Sequence, residues 1–213
     1  EIGVFSEADV VLLNTEWLKT LDTENIRSGY VEMLKHGLIA DEAMWAELIN
    51  FDLAQPDLYQ LSAMLGKSVR VKERIVAEDP QEKGIRKALN LGHTFGHALE
   101  AYTKHAIAHG TAVIWGIDVA NYLAVREGLI DETLYFDVKA LIKRAFLREE
   151  IVIDDPHAVF DTIRTDKKVR GNTLAFAMLD GESHLIVHPM ELDERLYRMF
   201  CDYLETTHDY YRD

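Results

Sequence analysis

Residues 27–40 read RSGYVEMLKHGLIA, and their apolar spacing decides the class of the fold. Val31, Leu34 and Leu38 recur at three- and four-residue steps, which puts them on one stripe of a helix and not on alternate faces of a strand. Two charges sit among these core residues. Glu32 and Lys35 are three positions apart and share a face, and on a helix that Val31, Met33 and Leu34 leave little exposed, such a pair needs a purpose. A solvated surface pair is the plainer alternative.

The helical period continues outward from this stretch. DEAMWAELINFDLA follows with Asp41 placed as an N-cap, and PDLYQLSAMLGKSVRVKERIVAED, GHTFGHALEAYTKH, HGTAVIWGIDVANYLAVREGL and DETLYFDVKALIKRAF repeat the pattern between Gly, Pro and Asp breaks. Upstream, ADVVLL is a short apolar run that fits a strand or the edge of something larger. Late in the chain, TLAFAMLDGESHLIVHP sets two β-prone runs around Asp180-Gly181, a hairpin signal, and ELDERLYRMFCDYLETT closes as an amphipathic helix. No repeat, low-complexity segment or long linker divides the chain. The expectation is a mainly α protein, one helical bundle over residues 1–213 with a small late β-hairpin.

Bulk composition narrows the function. With 48% hydrophobic residues in 213 the chain can build a real core, and no run approaches the roughly 18 apolar residues of a membrane span. The N-terminus lacks the basic start and cleavage site of a signal peptide, so the cytoplasm is the default, and the opening without Met reads as a start inside a longer protein. A single cysteine, Cys201, excludes an intrachain disulfide and a thiolate metal cluster made by this chain. The net charge of −14 argues against nucleic acid or an anionic membrane as partner, but permits a small anion where basic side chains gather.

A second stretch, NLGHTFGHALE at residues 90–100, carries His93 and His97 one helical turn apart, each directly after a glycine. Two imidazoles on one face can aim at a metal or a substrate. Without thiolates a metal would take His nitrogen and carboxylate oxygen, so the candidate ligands are His93, His97, His105 and His109 with Glu32 or Glu100. His109, before a glycine that opens an apolar helix, falls near a helix N-terminus suited to an anion or a metal-bound water, or else is simply a capping histidine. Arg86 and Asn90, spaced i, i+4, lead into the two histidines as one surface, and TDKKVRGN places Lys167 and Lys168 in a charged loop able to reach a phosphate. No dinucleotide, P-loop, nucleophile-elbow or HExxH fingerprint is present.

Taken together, RSGYVEMLKHGLI, VKERIVAEDPQEKGIRKALNLGHTFGHALE, HGTAV and DKKVRGN closely resemble the 3-dehydroquinate synthase family, in the family's order and over nearly the whole chain. The resemblance implies a divalent metal, zinc or cobalt, on Glu32, His93 and His109, with His97 facing the substrate for proton transfer or orientation. It implies that Lys35, Lys72, Arg86 and Asn90 hold the carboxylate and hydroxyls of an acidic sugar phosphate, and that Lys167 or Lys168 reaches its phosphate. It further implies an N-terminal α/β domain that binds NAD and is absent from this chain, with Trp17, Thr20 and Leu21 lying against the nucleotide, and a homodimer for the full-length enzyme. The chain departs from the family at Asp22-Thr23-Glu24-Asn25, where a proline and an Arg-Glu pair are usual, and at Val31, where alanine is commoner. The reaction implied is conversion of 3-deoxy-D-arabino-heptulosonate 7-phosphate to 3-dehydroquinate and phosphate in the shikimate pathway. Rival readings are a cyclase of the inosose or valiolone type, a metal-dependent alcohol dehydrogenase of the glycerol dehydrogenase type, and an inactive helical module that binds a partner protein. Lys35, Arg86 and Asn90 have no obvious use on an uncharged polyol.

Overall fold

A computed structural model describes residues 9–40, 42–145, 151–166, 168–181 and 184–208. Its helices are α1 (Thr23–Ala40), α2 (Glu42–Ile49), α3 (Leu58–Glu78), α4 (His93–Tyr102), α5 (His109–Arg126), α6 (Glu132–Ala145), α7 (Pro156–Arg164) and α8 (Glu194–His208). Strands β1 (Thr173–Leu179) and β2 (Leu185–Glu191) form an antiparallel hairpin in which Phe176 pairs with His188. The architecture expected from the sequence, a helical bundle with a late hairpin, is the one observed.

The arrangement follows from α5, whose residues Ala112–Ala120 are all buried, so that apolar surface faces outward all round. Such a helix must lie at the centre. α1, α4, α6, α8 and β1 pack around it, and α3 lies against α1. Phe95, Phe176 and Phe200 stack in the core between α4, β1 and α8. Helix starts carry caps where the chain supplies them: Asp57 accepts from the N–H groups of Tyr59 and Gln60, and Asp155, ahead of Pro156, accepts from Ala158. At the departure from the family's usual sequence, Asp22 Oδ1 accepts from the Asn25 N–H at 2.8 Å, so the substituted residues start α1 with a cap of their own.

Three local expectations change. Residues 10–14 form no strand, and Val10, Val11 and Leu12 stand 81%, 69% and 71% exposed. Asp41, expected as an N-cap, lies outside the described residues. Residues 85–90 are a 3-10 helix, not the start of α4, because Gly92 takes φ +76 and breaks the path between them. α7 was not among the segments expected to be helical.

Two close approaches position the histidines. A Cβ on Gly92 would lie 2.5 Å from the Val113 carbonyl oxygen, so only glycine both adopts that φ and lets α4 start against α5. A Cβ on Gly110 would lie 2.4 Å from Ser28 Cα, and the Gly110 N–H donates to Ser28 Oγ at 2.8 Å. The first turn of α5 is thereby pinned to α1 one turn before Glu32.

Away from these contacts, α5, α6 and α8 share a buried polar group. Lys139 Nζ donates to Asp118 Oδ2 at 2.7 Å and to Tyr135 Oη at 2.8 Å, and Tyr203 Oη donates to the same carboxylate oxygen at 2.8 Å. Asp118 is 1% exposed. Burial lowers the proton affinity of Lys139, and the Asp118 charge opposes that shift.

Candidate metal centre

Glu32, on the face of α1 turned to α4 and α5, is where the charged pair of residues 27–40 finds its purpose. Its Oε2 accepts from Lys35 Nζ at 2.5 Å, and Lys35 is itself 3% exposed. Its Oε1 is buried, has no hydrogen-bond partner, and faces His93 Nε2 at 3.3 Å and His109 Nε2 at 3.5 Å. Burial opposes ionisation of this carboxyl, but a hydrogen bond from His93 when a proton sits on its Nε2, together with the Lys35 ammonium, outweighs it and holds the group well below the usual carboxylate range. Lys35 is pushed down by burial, an effect that Glu32 offsets and the nearby Lys72 charge reinforces.

The other nitrogen of each ring determines what Oε1 faces. His93 Nδ1 lies 3.1 Å from the Leu91 carbonyl and His109 Nδ1 lies 3.1 Å from Glu100 Oε2, and both oxygens can only accept. Each neutral ring therefore carries its hydrogen on Nδ1 and presents a lone pair at Nε2. Three acceptors, one of them anionic, point at one another with no donor between them. That arrangement is repulsive unless a cation or a proton occupies the centre, and one carboxylate oxygen with two imidazole nitrogens is a donor set suited to zinc or cobalt. The residues fit a divalent metal.

His97 belongs to the same cluster. Ligand nitrogens of His93, His97 and His109 lie within 4.8 Å of one another, and the His93 and His97 rings meet edge to face with centroids 5.2 Å apart. Its ring has no hydrogen-bonded partner among the described residues, unlike the two that are anchored. Burial, followed by the neighbouring His93, pushes its proton affinity below the ordinary histidine value, although the residue keeps an exposed edge.

The remaining expected residues divide. Asn90 and Lys168 come together, with Lys168 Nζ donating to Asn90 Oδ1 at 2.8 Å, and the Lys168 charge is felt at His97. Lys167 lies outside the described residues. Lys72 is exposed yet close enough to depress Lys35. Arg86 does not share a helical face with Asn90, because i, i+4 spacing does not align on a 3-10 helix; its Nη1 donates to the Pro80 carbonyl at 2.8 Å. Trp17 and Leu21 are 62% and 43% exposed, at a 3-10 helix over Thr15–Thr20 whose Thr20 Oγ1 donates back to the Trp17 carbonyl. His105, a candidate ligand by residue type, sits exposed in the α4–α5 turn outside the histidine cluster. Glu100, the alternative carboxylate, holds a ring and does not face the centre.

Two features were not anticipated. Asp79 accepts from the N–H groups of Lys83, Gly84 and Arg86, folding the 79–86 turn, and within it Glu82 takes φ 55 and accepts from Asn90 Nδ2 at 2.7 Å. The run EDPQEKG signals a turn but not that partner. Behind Lys35, His36 Nδ1 lies 2.7 Å from Ser68 Oγ, and burial, then the Lys35 charge, push the ring down to about 4. A folded value below the unfolded one means that the unfolded chain binds the extra proton first. Stability is therefore full above about pH 6.5 and falls as pH drops toward about 4, by about 3 kcal/mol from this group, a fall that His36→Gln should diminish in urea titrations across that window.

Residues 29–169 match the family model described as 3-dehydroquinate synthase C-terminal. The chain is 35% identical over 209 residues to the 3-dehydroquinate synthase of Parabacteroides distasonis, covering 97% of this chain and 59% of that relative. Against the enzyme of the same name from Halalkalibacterium halodurans it is 37% identical over 204 residues, with 92% and 55% covered. The chain thus spans little more than half the length of these relatives. Among solved structures, a 2-epi-5-epi-valiolone synthase from Streptomyces hygroscopicus, with NAD+ and Zn2+ bound, superposes with TM-score 0.79 at 20% identity over 96% of this chain and 58% of that one. A 2-deoxy-scyllo-inosose synthase complexed with carbaglucose-6-phosphate, NAD+ and Co2+ gives 0.76 at 22%, covering 88% and 55%. The matched range contains Glu32, His93 and His109, and the chain belongs to the 3-dehydroquinate synthase C-terminal family.

Proposed function

We propose that this chain is the metal- and substrate-binding part of a 3-dehydroquinate synthase, which converts 3-deoxy-D-arabino-heptulosonate 7-phosphate to 3-dehydroquinate and phosphate. The observation that carries the reading is the convergence of Glu32 Oε1, His93 Nε2 and His109 Nε2, with the carboxylate oxygen buried and unpartnered. These three residues would hold a divalent metal, which when bound supplies Lewis acidity toward neighbouring oxygens of the substrate. The hydride transfers belong to NAD and to an α/β domain outside this chain, with exposed Trp17, Thr20 and Leu21 as the contact offered from this side.

The chain's own side chains have separate tasks. Lys35 keeps Glu32 ionised and aims it, and with Lys72 makes a positive wall for the substrate carboxylate. Lys168, held by Asn90, presents an ammonium toward the His97 side of the centre, where a phosphate would be received. Lys167 and Arg86 belong to the same phosphate and carboxylate reading. His97, unanchored and with its proton affinity lowered, arrives neutral and accepts the proton of a substrate hydroxyl.

Valiolone and inosose synthases share the fold, so substrate choice is what must be tested. Phosphate release by the enzyme containing this chain, supplied with NAD+ and metal, is expected from the carboxylate-bearing heptulosonate phosphate. Comparable turnover of sugar phosphates that lack a carboxylate would replace this reading with that of another cyclase.

A further inference from the structure

We propose that Glu100 is a positioning residue of the metal centre, acting through His109 to fix its tautomer and aim Nε2 at the site shared with Glu32. The inference rests on the reading of Glu32, His93 and His109 as the ligand set. Glu100 Oε2 lies 3.1 Å from His109 Nδ1, and its side chain is 13% exposed against 42% for the histidine it holds. His109 needs such a tether. It is the first residue of α5, the preceding Ala108 supplies no side-chain cap, and an imidazole so exposed is otherwise free to turn.

The turn between α4 and α5 is shaped to bring the two together. Lys104 and His105 both adopt left-handed backbone, with φ 54 and 60, and the His105 N–H donates to the Glu100 carbonyl at 2.7 Å. Two adjacent non-glycine residues in that conformation hold strain that the surrounding structure must sustain. The chain reverses over a few residues, so that the end of α4 supplies the carboxylate and the start of α5 the ring.

The two histidines are supported unequally. His93 is held by a neutral carbonyl, that of Leu91, whereas His109 is held by an anion. A carboxylate accepting from Nδ1–H makes Nε2 a stronger metal donor and adds a second negative charge beside Glu32, so Glu100 strengthens the hold on a cation without touching it. An alternative task for the same carboxylate is to complement the dipole at the N-terminus of α5. That role is structural and would leave the ring's tautomer and its metal affinity unmoved.

The test uses the chain with Glu100→Gln, which keeps an acceptor but removes the charge, and Glu100→Ala, which removes both. Zinc affinity is measured by competition with a chromophoric chelator, and the His109 tautomer in the metal-free protein by imidazole nitrogen NMR, with circular dichroism to establish that the variants fold. Glu100→Gln is expected to weaken zinc about 10-fold and Glu100→Ala up to about 100-fold. Glu100→Ala is also expected to convert His109 from one Nδ1–H form to a mixture. Affinities within about twofold of wild type, or an unchanged tautomer in Glu100→Ala, overturn the proposal while leaving the ligand set standing. Loss of helix in both variants assigns Glu100 to the fold and overturns it as well. Wild-type protein that binds no zinc overturns the ligand reading and this inference together.

Discussion

Lys139→Met is expected to lower the unfolding free energy by about 3–5 kcal/mol. The substitution leaves the Asp118 carboxylate, 1% exposed, without its counter-ion; among the described residues the Tyr203 hydroxyl still donates to Oδ2, while Oδ1 is already buried and unpartnered. Against a total stability of about 5–15 kcal/mol for a typical domain, such a loss approaches unfolding. Removing the charge from both sides should recover much of it, because an apolar pair of similar volume has no desolvation penalty to offset. Urea denaturation of Lys139→Met and of the Asp118→Leu, Lys139→Met double variant makes the comparison. A double variant no more stable than the single would show that the tyrosine hydroxyls, not the ion pair, govern this site.

The largest effect on binding should come from the centre itself. His93→Ala and His109→Ala are each expected to weaken zinc by more than about 100-fold, the upper range for losing a mere supporting partner. His97→Ala should weaken it far less, because the His97 ring is not anchored and Glu32 Oε1 lies within 3.5 Å of each of the other two nitrogens. Chelator competition on the three variants separates these outcomes. If His97→Ala loses zinc as thoroughly as His93→Ala, the metal sits among the three imidazoles and the ligand set is redrawn.

The parts of this site legible in the sequence are those fixed within one element. Glu32 and Lys35 are three positions apart on α1, so helical period alone puts them together, and the hydrogen bond between them follows. His93 and His97 meet for the same reason, as their ring contact shows. His109 joins them across a turn; its place before a helix-opening glycine marked it as a candidate, and the resemblance to the family made it a ligand over His105. Both are histidines near a helix end; what separates them is the docking of Gly110 on Ser28, a contact between residues 82 positions apart.

Where period was trusted beyond one element it misled. Arg86 and Asn90 would share a face only on an α-helix, whereas residues 85–90 form a 3-10 helix that the left-handed Gly92 separates from α4. Supporting atoms were harder still. A backbone carbonyl such as that of Leu91 has no residue-type signature, and Glu100 stood beside Glu32 as an alternative carboxylate because sequence does not reveal which way a side chain turns. The Asp118, Lys139 and Tyr203 group, spread over α5, α6 and α8, is a product of packing that no local pattern encodes.

The most direct test of the central claim is a crystal of the chain grown with zinc, with anomalous diffraction recorded on both sides of the zinc absorption edge. The account predicts a single strong peak in bonding contact with Glu32 Oε1, His93 Nε2 and His109 Nε2, with the Nδ1 atoms still on Leu91 and Glu100. A peak bonded to His97 in place of Glu32, or none in the cluster at full zinc occupancy elsewhere, would contradict it.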